Sequence, residues 1–421
     1  MAVRQTSEAL VAPLATEDYG LQAMDDTSPP KWHLAHTTWF FEIFLLNEFL
    51  PDYRPFRERY DFCFNSYYES QGERVYRPTR GLMSRPTVRD ILDYRAYVDE
   101  HMGRLLDGMG ASPHGETIRE RTILGIHHEQ QHQELLLMDI KNIFYTNALR
   151  PVYASDAGGN HAAGNNTVDL PAPGPIRFLK FQGGLDEFGN DGRGFSYDNE
   201  RPRHRSFVED FGLADRLVTN GEFLEFIEDG GYDDFRHWLS DGWDLTQNHG
   251  LRAPLYWEKI DGQWRVFTLR GDGPLNPHEP VSHVSFFEAA AFASWKGARL
   301  PTEYEWELAA RSVSPQCKTT NFLENGIHNA APDRGPGEEN RDLPRQMYGD
   351  LWEWTVSSYL PYPGFVPEAG AIGEYNGKFM NDQRVLKGGS HGTARWHIRD
   401  TYRNFFQSDK RWQFSGFRLA E

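Results

Sequence analysis

Residues 1 to about 150 carry apolar side chains at the three- and four-residue spacing of amphipathic helices. A short helix is predicted near Ser7–Met24, and the next begins in "SPPKWHLAHTTWFFEIFLLNEFL", with Ser28 as its N-cap and Pro29 in its first turn. Two more long periodic segments follow, "RPTVRDILDYRAYVDEHMGRLLDGM" and "HGETIRERTILGIHHEQQHQELLLMDIKNIFY". Helices joined by loops in this way predict a four-helix bundle over residues 1–153.

The pattern changes after the bundle. Residues 154–175 are rich in Gly, Ala, Asn and Pro, which predicts a linker. Residues 176–421 carry short apolar runs and many Gly, Trp and Phe residues, with helical segments near Asn220–Glu228 and Phe286–Lys296. The fold class predicted is therefore multi-domain, a helical bundle followed by an irregular α+β domain.

Composition narrows the class of protein. A net charge of -17 disfavours a nucleic-acid or anionic-membrane partner, because phosphate binding needs clustered Lys and Arg. The two cysteines, Cys63 and Cys317, lie far apart in sequence and favour a reducing compartment. The chain begins without a signal-peptide pattern and contains no run of about 18 apolar residues. We therefore expect a cytoplasmic protein without a membrane partner, and the sequence does not indicate an oligomeric state.

The segment "HHEQQHQE" contains the H-E-x-x-H pattern of zinc protease helices, in which Glu129 would be the base. Its histidines, His128 and His132, are four residues apart, which places both imidazoles on one helix face. In the second predicted helix, "WHLAHTTWFFE" offers His33 and His36 as candidates for a third ligand. Their spacing does not choose between them.

The identity of the metal is also open at this point. The longer zinc protease pattern is absent, because Leu135 occupies its glycine position, and no downstream glutamate ligand is evident. Three nitrogen ligands with open positions suit redox-active iron as well as zinc. The spacing therefore predicts a metal site without assigning its chemistry.

The second half resembles the formylglycine-generating-enzyme-like fold, a variant of the C-type lectin fold. The resemblance lies in "NERPRHRSFVEDFGLADRLVTNGEFLEF", "PVSHVSFFEAAAFASWKGARLPTEYEWELAAR", "MYGDLWEWTVSSY", "VLKGGSH" and "FSGFRLA". Formylglycine-generating enzymes use an active-site cysteine pair. Cys317 is the one cysteine of this half, so we do not expect that activity.

The first half resembles DinB-like four-helix bundles, which commonly hold a metal with three histidines. A DinB-like bundle followed by this second domain is the arrangement of the ergothioneine-biosynthesis sulfoxide synthases, and "PPKWHLAHTTWFFE", "FNSYYE", "RGLMSRPTV", "HHEQQHQELLL" and "YRNFF" carry the resemblance. Those enzymes use non-haem iron and O2 to join cysteine sulfur to C2 of the imidazole of hercynine (Nα-trimethylhistidine). The resemblance implies an Fe(2+) cofactor with His36, His128 and His132 as its ligands.

The resemblance also implies roles for five residues of the bundle. Gln131 matches a glutamine that contacts the hercynine imidazole. Tyr67 and Tyr68 match a segment in which a tyrosine donates a proton and favours C–S bond formation over oxidation of the thiol to a sulfinate. The sequence does not rank these two catalytic candidates. Arg77 and Arg80 resemble two arginines that hold the carboxylate of the cysteine substrate.

Residues of the second domain are implied to contribute to the substrate pocket. Asn404 matches a position that touches hercynine, and Phe405 offers a ring face to its trimethylammonium group. Members that use γ-glutamylcysteine carry Asp at the position of Phe406 and Arg at that of Lys410. An apolar Phe406 cannot hold an ammonium group by charge, so the resemblance favours free L-cysteine as the thiol substrate.

Two other functions fit the same sequence. A selenoneine synthase, which attaches selenium from a selenosugar to hercynine, would share the fold and the iron site. A non-enzymatic metal- or carbohydrate-binding module would share the fold without consuming O2. The two arginines favour cysteine over a selenosugar, and measurements of bound metal and oxygen uptake separate all three.

Overall fold

The chain forms two compact units. The computed structural model describes residues 1–154, 173–315, 320–326 and 342–421. Unit 1 comprises Met1–Tyr153 and Glu368–Tyr375, and unit 2 comprises Ala154–Pro367 and Asn376–Glu421. Most of the predicted linker, and Cys317, lie outside the described residues. None of the described helices is long and apolar enough to cross a membrane.

Unit 1 is helical, as predicted. Its helices are α1 (Ala2–Val11), α2 (Pro30–Phe41), α3 (Asn47–Phe49), α4 (Tyr60–Phe64), α5 (Val88–Gly108) and α6 (Gly115–Thr146). A π-helical turn, Glu42–Leu46, joins α2 to α3. Short 3-10 helices lie at Thr16–Gly20, Glu69–Gln71, Arg77–Leu82, Met109–Ala111 and Ala371–Glu374.

Helix α2 is the centre of unit 1. All twelve of its residues are buried, and it packs against both α5 and α6. A helix with no solvent-exposed face must give each polar side chain a partner inside the unit, because an unpaired buried polar group is costly. The histidines of α2 are therefore held by specific contacts.

Two predicted helix starts are wrong. The N-cap of α2 is Pro29, with Pro30 at the first helical position, so Ser28 lies outside the helix. Ser28 instead donates its backbone N–H to Asp139 and accepts a hydrogen bond from Arg80 at its hydroxyl. The helix expected near Ser7–Met24 begins earlier, as α1, and is followed by a separate 3-10 helix.

Unit 2 has the predicted α+β character, with several small sheets. Its helices are α7 (Asn220–Glu228), α8 (Ser240–His249), α9 (Phe286–Trp295) and α10 (Glu303–Ala310), of which α7 and α9 match predicted segments. Its strands are β1 (Phe178–Phe181), β2 (Gly184–Phe188), β3 (His204–Val208), β4 (Phe211–Ala214), β5 (Trp257–Ile260), β6 (Gln263–Thr268), β7 (Gly271–Pro274), β8 (Trp352–Ser358), β9 (Gln383–Lys387), β10 (Asn404–Gln407) and β11 (Ser415–Gly416).

The largest sheet of unit 2 has the order β10-β9-β8-β11. Strand β10 pairs antiparallel with β9, with Asn404 opposite Leu386 and Phe406 opposite Arg384. Two-stranded sheets form from β1 with β4 and from β2 with β3, while β5, β6 and β7 form a three-stranded sheet. The edge strand β10 carries Asn404, Phe405 and Phe406, three of the residues for which the resemblance implied contact with substrate.

Candidate metal centre

Three histidines meet inside unit 1. His36 comes from α2, and His128 and His132 come from successive turns of α6. One ring nitrogen from each lies within 4.8 Å of the others. The ring centroids are 4.7 to 5.0 Å apart in each pair. This is the arrangement that a metal with three imidazole ligands requires.

Hydrogen bonds at Nδ1 determine which nitrogens are free to bind. His36 Nδ1 lies 2.6 Å from the carbonyl oxygen of Phe64, and His132 Nδ1 lies 2.9 Å from Nδ1 of His33. These contacts leave Nε2 of both rings available. In the described part of the chain, the buried Nδ1 of His128 has no hydrogen-bond partner. Such a set of nitrogen donors, one of them unsatisfied, fits a bound metal ion.

All three imidazoles are neutral at physiological pH. Burial lowers the pKa of His128 to about 4. Burial and then the neighbouring His128 lower the pKa of His36 and of His132 well below the usual value. A neutral imidazole has the lone pair that a metal ligand needs, so the site does not have to lose protons before it binds a metal near pH 7.

Glu129 is part of a buried charge network and not a base. Its carboxylate accepts hydrogen bonds from Arg4 at 2.9 Å, from Arg95 at 3.0 Å and from Ser7 at 2.7 Å. Burial by itself raises the pKa of Glu129, but Arg4 and Arg95 outweigh it and lower the pKa to about 2. The H-E-x-x-H pattern is therefore incidental, and the zinc protease interpretation loses its catalytic glutamate.

We expect Glu129→Gln to destabilise unit 1 and to leave metal binding intact. The change removes the shared counter-ion of two buried arginines, which keep only the more exposed Asp99 and Glu8 as carboxylate partners among the described residues. Breaking a buried ion pair costs up to about 3–5 kcal/mol. Because the native pKa is lowered, the stabilisation is complete above the unfolded value of about 4.3 and decreases as the pH falls towards about 2. Thermal unfolding and metal content measure the two effects.

Glu116→Gln on the same helix is the matched control. Glu116 forms an exposed ion pair with Arg119, so its loss should change the melting temperature little. Loss of metal by Glu129→Gln at a temperature where the protein stays folded would contradict the structural role of Glu129.

Two arginines lie beside the histidines. Within the described residues, no carboxylate lies within 4.0 Å of Arg77 or Arg80, and their hydrogen-bond partners are neutral groups such as the Tyr67 and Ser28 hydroxyls. Burial and then Arg77 lower the pKa of Arg80 to about 9. Trp32 links this pair to the histidines, since its ring lies 3.5 Å from the Arg80 guanidinium carbon and stacks on His36 at 4.6 Å. The arrangement places two guanidinium groups, which bind anions well, next to the three histidines.

The two tyrosines of "FNSYYE" have different surroundings. The Tyr67 hydroxyl accepts a hydrogen bond of 2.7 Å from Arg77. The Tyr68 ring is buried and contacts Trp39 at 5.5 Å, and Trp39 in turn stacks on His36 at 5.5 Å. Burial raises the pKa of Tyr68, so its phenol remains protonated at neutral pH. Tyr67 therefore contacts the arginine pair, whereas Tyr68 connects to His36 through the ring of Trp39.

The segment Glu368–Tyr375 packs onto the loop that carries Tyr67 and Tyr68, a contact that the sequence analysis did not predict. The Glu374 carboxylate accepts hydrogen bonds from the backbone N–H groups of Glu69 and Ser70 at 2.6 and 3.2 Å. The Tyr375 ring lies 6.2 Å from that of Tyr67, and burial raises the pKa of Tyr375. About 300 residues separate these groups in sequence, so periodicity and spacing carry no signal for the contact.

The remaining predicted residues have the following positions. Gln131 lies on α6 next to His132 and is partly exposed. In unit 2, Asn404 and Phe406 share one face of β10, whereas alternation places Phe405 on the other face. There, Phe405 stacks on Tyr359 at 4.1 Å. Phe405 and Asn404 therefore lie on opposite faces of the strand. One face of the Phe405 ring is already covered by Tyr359.

Comparison with known proteins agrees with both halves of the chain. The DinB superfamily model matches residues 2–136, and the sulfatase-modifying factor enzyme 1-like domain matches residues 174–333 and 338–421. The chain is 34% identical over 415 residues to a hercynine oxygenase of Mycolicibacterium smegmatis, covering 93% of this chain and 91% of the relative.

Two further relatives extend the comparison. A hercynine oxygenase of Mycolicibacterium thermoresistibile is 31% identical over 93% of this chain and 87% of its own length. Ergothioneine biosynthesis protein 1 of Schizosaccharomyces pombe is 28% identical over 54% of this chain and 28% of its own length. With both domain models matched and nearly the whole chain aligned, this protein belongs to the hercynine oxygenase family, the sulfoxide synthases of ergothioneine biosynthesis.

Proposed function

We propose that this enzyme uses iron(II) and O2 to join the sulfur of free L-cysteine to C2 of the hercynine imidazole, forming a sulfoxide. The stoichiometry balances: the thiol and the imidazole C2 each lose one hydrogen, one oxygen atom goes to sulfur, and the other leaves as water. Family membership supports the reaction class. The iron, the thiol donor and the residue roles are our proposals.

One observation carries the proposal. Three neutral imidazoles that can share one metal lie beside two arginines that have no carboxylate within 4.0 Å among the described residues. A substrate that presents a carboxylate to the arginines and a thiol to the metal would satisfy both sites at once. Cysteine has both groups, with its Cα and Cβ carbons between them.

Iron(II) supplies, when bound, the site where O2 is activated and where the thiol meets the imidazole carbon. His36, His128 and His132 would hold it through three ring nitrogens. This donor set leaves several metal positions free, as a reaction with two substrates and O2 requires. Gln131, which lies on α6 with His128 and His132, would orient the hercynine imidazole by a hydrogen bond.

Arg77 and Arg80 would bind the cysteine carboxylate. We expect Arg80→Gln to raise the KM for cysteine by about 10- to 100-fold, since a charge-assisted hydrogen bond contributes about 1.5–3 kcal/mol. The KM for hercynine should change much less. Steady-state kinetics with each substrate varied in turn measure the difference, and Arg89→Gln, at an exposed arginine of α5, is the control. Equal changes in both KM values would contradict the assignment.

We take Tyr68 as the first candidate for the proton donor, because burial keeps its phenol protonated and its ring contacts Trp39, which stacks on His36. We expect Tyr68→Phe to keep the metal and to shift the product from sulfoxide towards cysteine sulfinate, which thiol and O2 form without the imidazole. A positioned proton donor contributes about 10²–10⁴-fold to the step it serves, so the sulfoxide-to-sulfinate ratio should fall at least about tenfold. Chromatography of both products measures the ratio.

Tyr60→Phe is the matched control for this experiment. Tyr60 is also a buried tyrosine of unit 1, and its hydroxyl has no hydrogen-bond partner among the described residues. An unchanged ratio in Tyr68→Phe, Tyr67→Phe and the double variant would exclude both tyrosines and make Tyr375 the next residue to test.

The experiment that tests the proposed function is product analysis with hercynine deuterated at C2. Iron-loaded protein, L-cysteine and O2 should give a C–S-linked sulfoxide that has lost the deuterium, identified by mass spectrometry. A product that retains deuterium, or turnover with a selenosugar and not with cysteine, would overturn the proposal. The family relatives do not favour the selenium-transferring or the non-enzymatic alternative.

A further inference from the structure

We propose that Asp139 and His33 form a positioning chain that sets which nitrogen of His132 faces the metal. The inference rests on the proposed metal site but not on the identity of the substrates. Neither Asp139 nor His33 is a ligand in this account. They act through His132, and their effect is on metal affinity and on the geometry of the bound ion.

The contacts of the chain run in one line. Asp139 Oδ2 lies 2.8 Å from the backbone nitrogen of Ser28 and 2.9 Å from Nε2 of His33. Nδ1 of His33 lies 2.9 Å from Nδ1 of His132. His33 is 4% exposed and Asp139 is 2% exposed, so water does not compete freely for these groups.

The direction of each hydrogen bond follows from the carboxylate at one end. A carboxylate oxygen accepts, so Asp139 Oδ2 accepts from the Ser28 N–H and from N–H at Nε2 of His33. A neutral His33 with its proton on Nε2 has a lone pair on Nδ1. That lone pair accepts from N–H at Nδ1 of His132, which leaves Nε2 of His132 without a proton.

The opposite arrangement would block the site. If the His33 proton were on Nδ1, it would donate to Nδ1 of His132, and the His132 proton would move to Nε2, the nitrogen that has to bind. It would also bring two lone pairs together between His33 and Asp139. The carboxylate therefore selects the tautomer of His132 that can bind a metal, as an outer hydrogen-bond partner commonly does for a ligating histidine.

The helices explain how distant residues form this chain. Asp139 lies seven residues after His132 on α6, two helical turns away on the same face. His33 lies one turn before His36 on α2, and the sequence spacing alone did not show which of the two is the third ligand. His36 joins the three-nitrogen cluster, and His33 holds one of its members.

The test is titration of the metal-free protein with Co(II) alone, followed by its visible absorption spectrum. We expect Asp139→Leu to weaken Co(II) binding by about 10- to 100-fold and to change the spectrum. Asp139→Asn should stay close to wild type, because an amide oxygen at the Oδ2 position still accepts from both Ser28 and His33. His33→Phe should weaken binding to the same extent as Asp139→Leu.

A double variant and a control complete the test. Since Asp139 acts through His33, His33→Phe combined with Asp139→Leu should bind Co(II) no more weakly than His33→Phe alone. Glu129→Gln removes a different buried carboxylate from α6 and should keep the wild-type affinity and spectrum. Wild-type affinity in Asp139→Leu, or additive losses in the double variant, would overturn the inference.

The outcome is separable from that of the proposed function. If the variants behave as expected but wild-type protein makes no sulfoxide, the positioning chain stands and the proposed reaction fails. If sulfoxide forms and Asp139→Leu binds Co(II) as wild type does, the reaction stands and the chain fails.

Discussion

Replacing His36, His128 or His132 by alanine is expected to abolish tight metal binding and, with it, oxygen consumption. Each change removes one of three ring nitrogens that lie within 4.8 Å of one another. The loss in affinity should exceed about 100-fold, which is the upper end of what loss of an outer hydrogen-bond partner costs. Metal analysis after dialysis and titration with Co(II) measure it, and the apo variants should remain folded.

His127→Ala is the matched control for these variants. His127 is adjacent to His128 on α6, but one residue of helix turns it about 100° away from the ligand face. The His127→Ala variant should bind metal as tightly as the wild-type protein does. The ligand assignment is wrong if His33→Ala loses the metal completely while His36→Ala retains it, and a metal shell that includes Glu129 would restore the zinc interpretation.

Free L-cysteine is expected to be used at least about a hundredfold better than γ-glutamylcysteine. Phe406 occupies the position at which γ-glutamylcysteine-using members carry Asp. The ammonium group of a γ-glutamyl substrate would lose water there without gaining a charged partner, which costs several kcal/mol. Since 1.4 kcal/mol corresponds to a factor of ten, a hundredfold preference needs about 2.8 kcal/mol. The measurement is kcat/KM for both thiols at saturating hercynine.

In unit 2, the Phe406 side chain is partly exposed and contacts another aromatic ring. Phe406 packs edge-on against Trp412 at 5.4 Å, and Lys410 already lies 3.3 Å from Asp409. Phe406→Asp combined with Lys410→Arg should raise kcat/KM for γ-glutamylcysteine, whereas Phe406→Leu should not. Equal use of the two thiols by the wild type would contradict our interpretation of Phe406.

Much of the fold could be predicted from the sequence because it is local. Helical periodicity located α5 and α6, and capping residues such as Thr219 and Ser285 stand at the starts of α7 and α9. The start of α2 was predicted too early, because Ser28 is a common N-cap type but here two prolines set the first turn. The Ser28 backbone is instead used by Asp139, 111 residues away.

The candidate site was only partly predictable, for a related reason. The i, i+4 spacing of His128 and His132 determines their common face, since it depends on one helix alone. The role of His33 depends on Asp139, which lies on a different helix. The role of Glu129 depends on Arg4 and Arg95, which also come from other helices. Sequence spacing carries no information about such contacts. It therefore could not distinguish His33 from His36 as the third ligand, and it could not exclude Glu129 as a base.

The most direct test of the account is oxygen uptake by the iron(II)-loaded protein, recorded with hercynine and L-cysteine together and with each alone. We predict rapid uptake only with both substrates, with one O2 consumed for each sulfoxide formed, and none in His128→Ala. Uptake that does not depend on hercynine, or no uptake by protein that holds iron at the three histidines, would contradict the account.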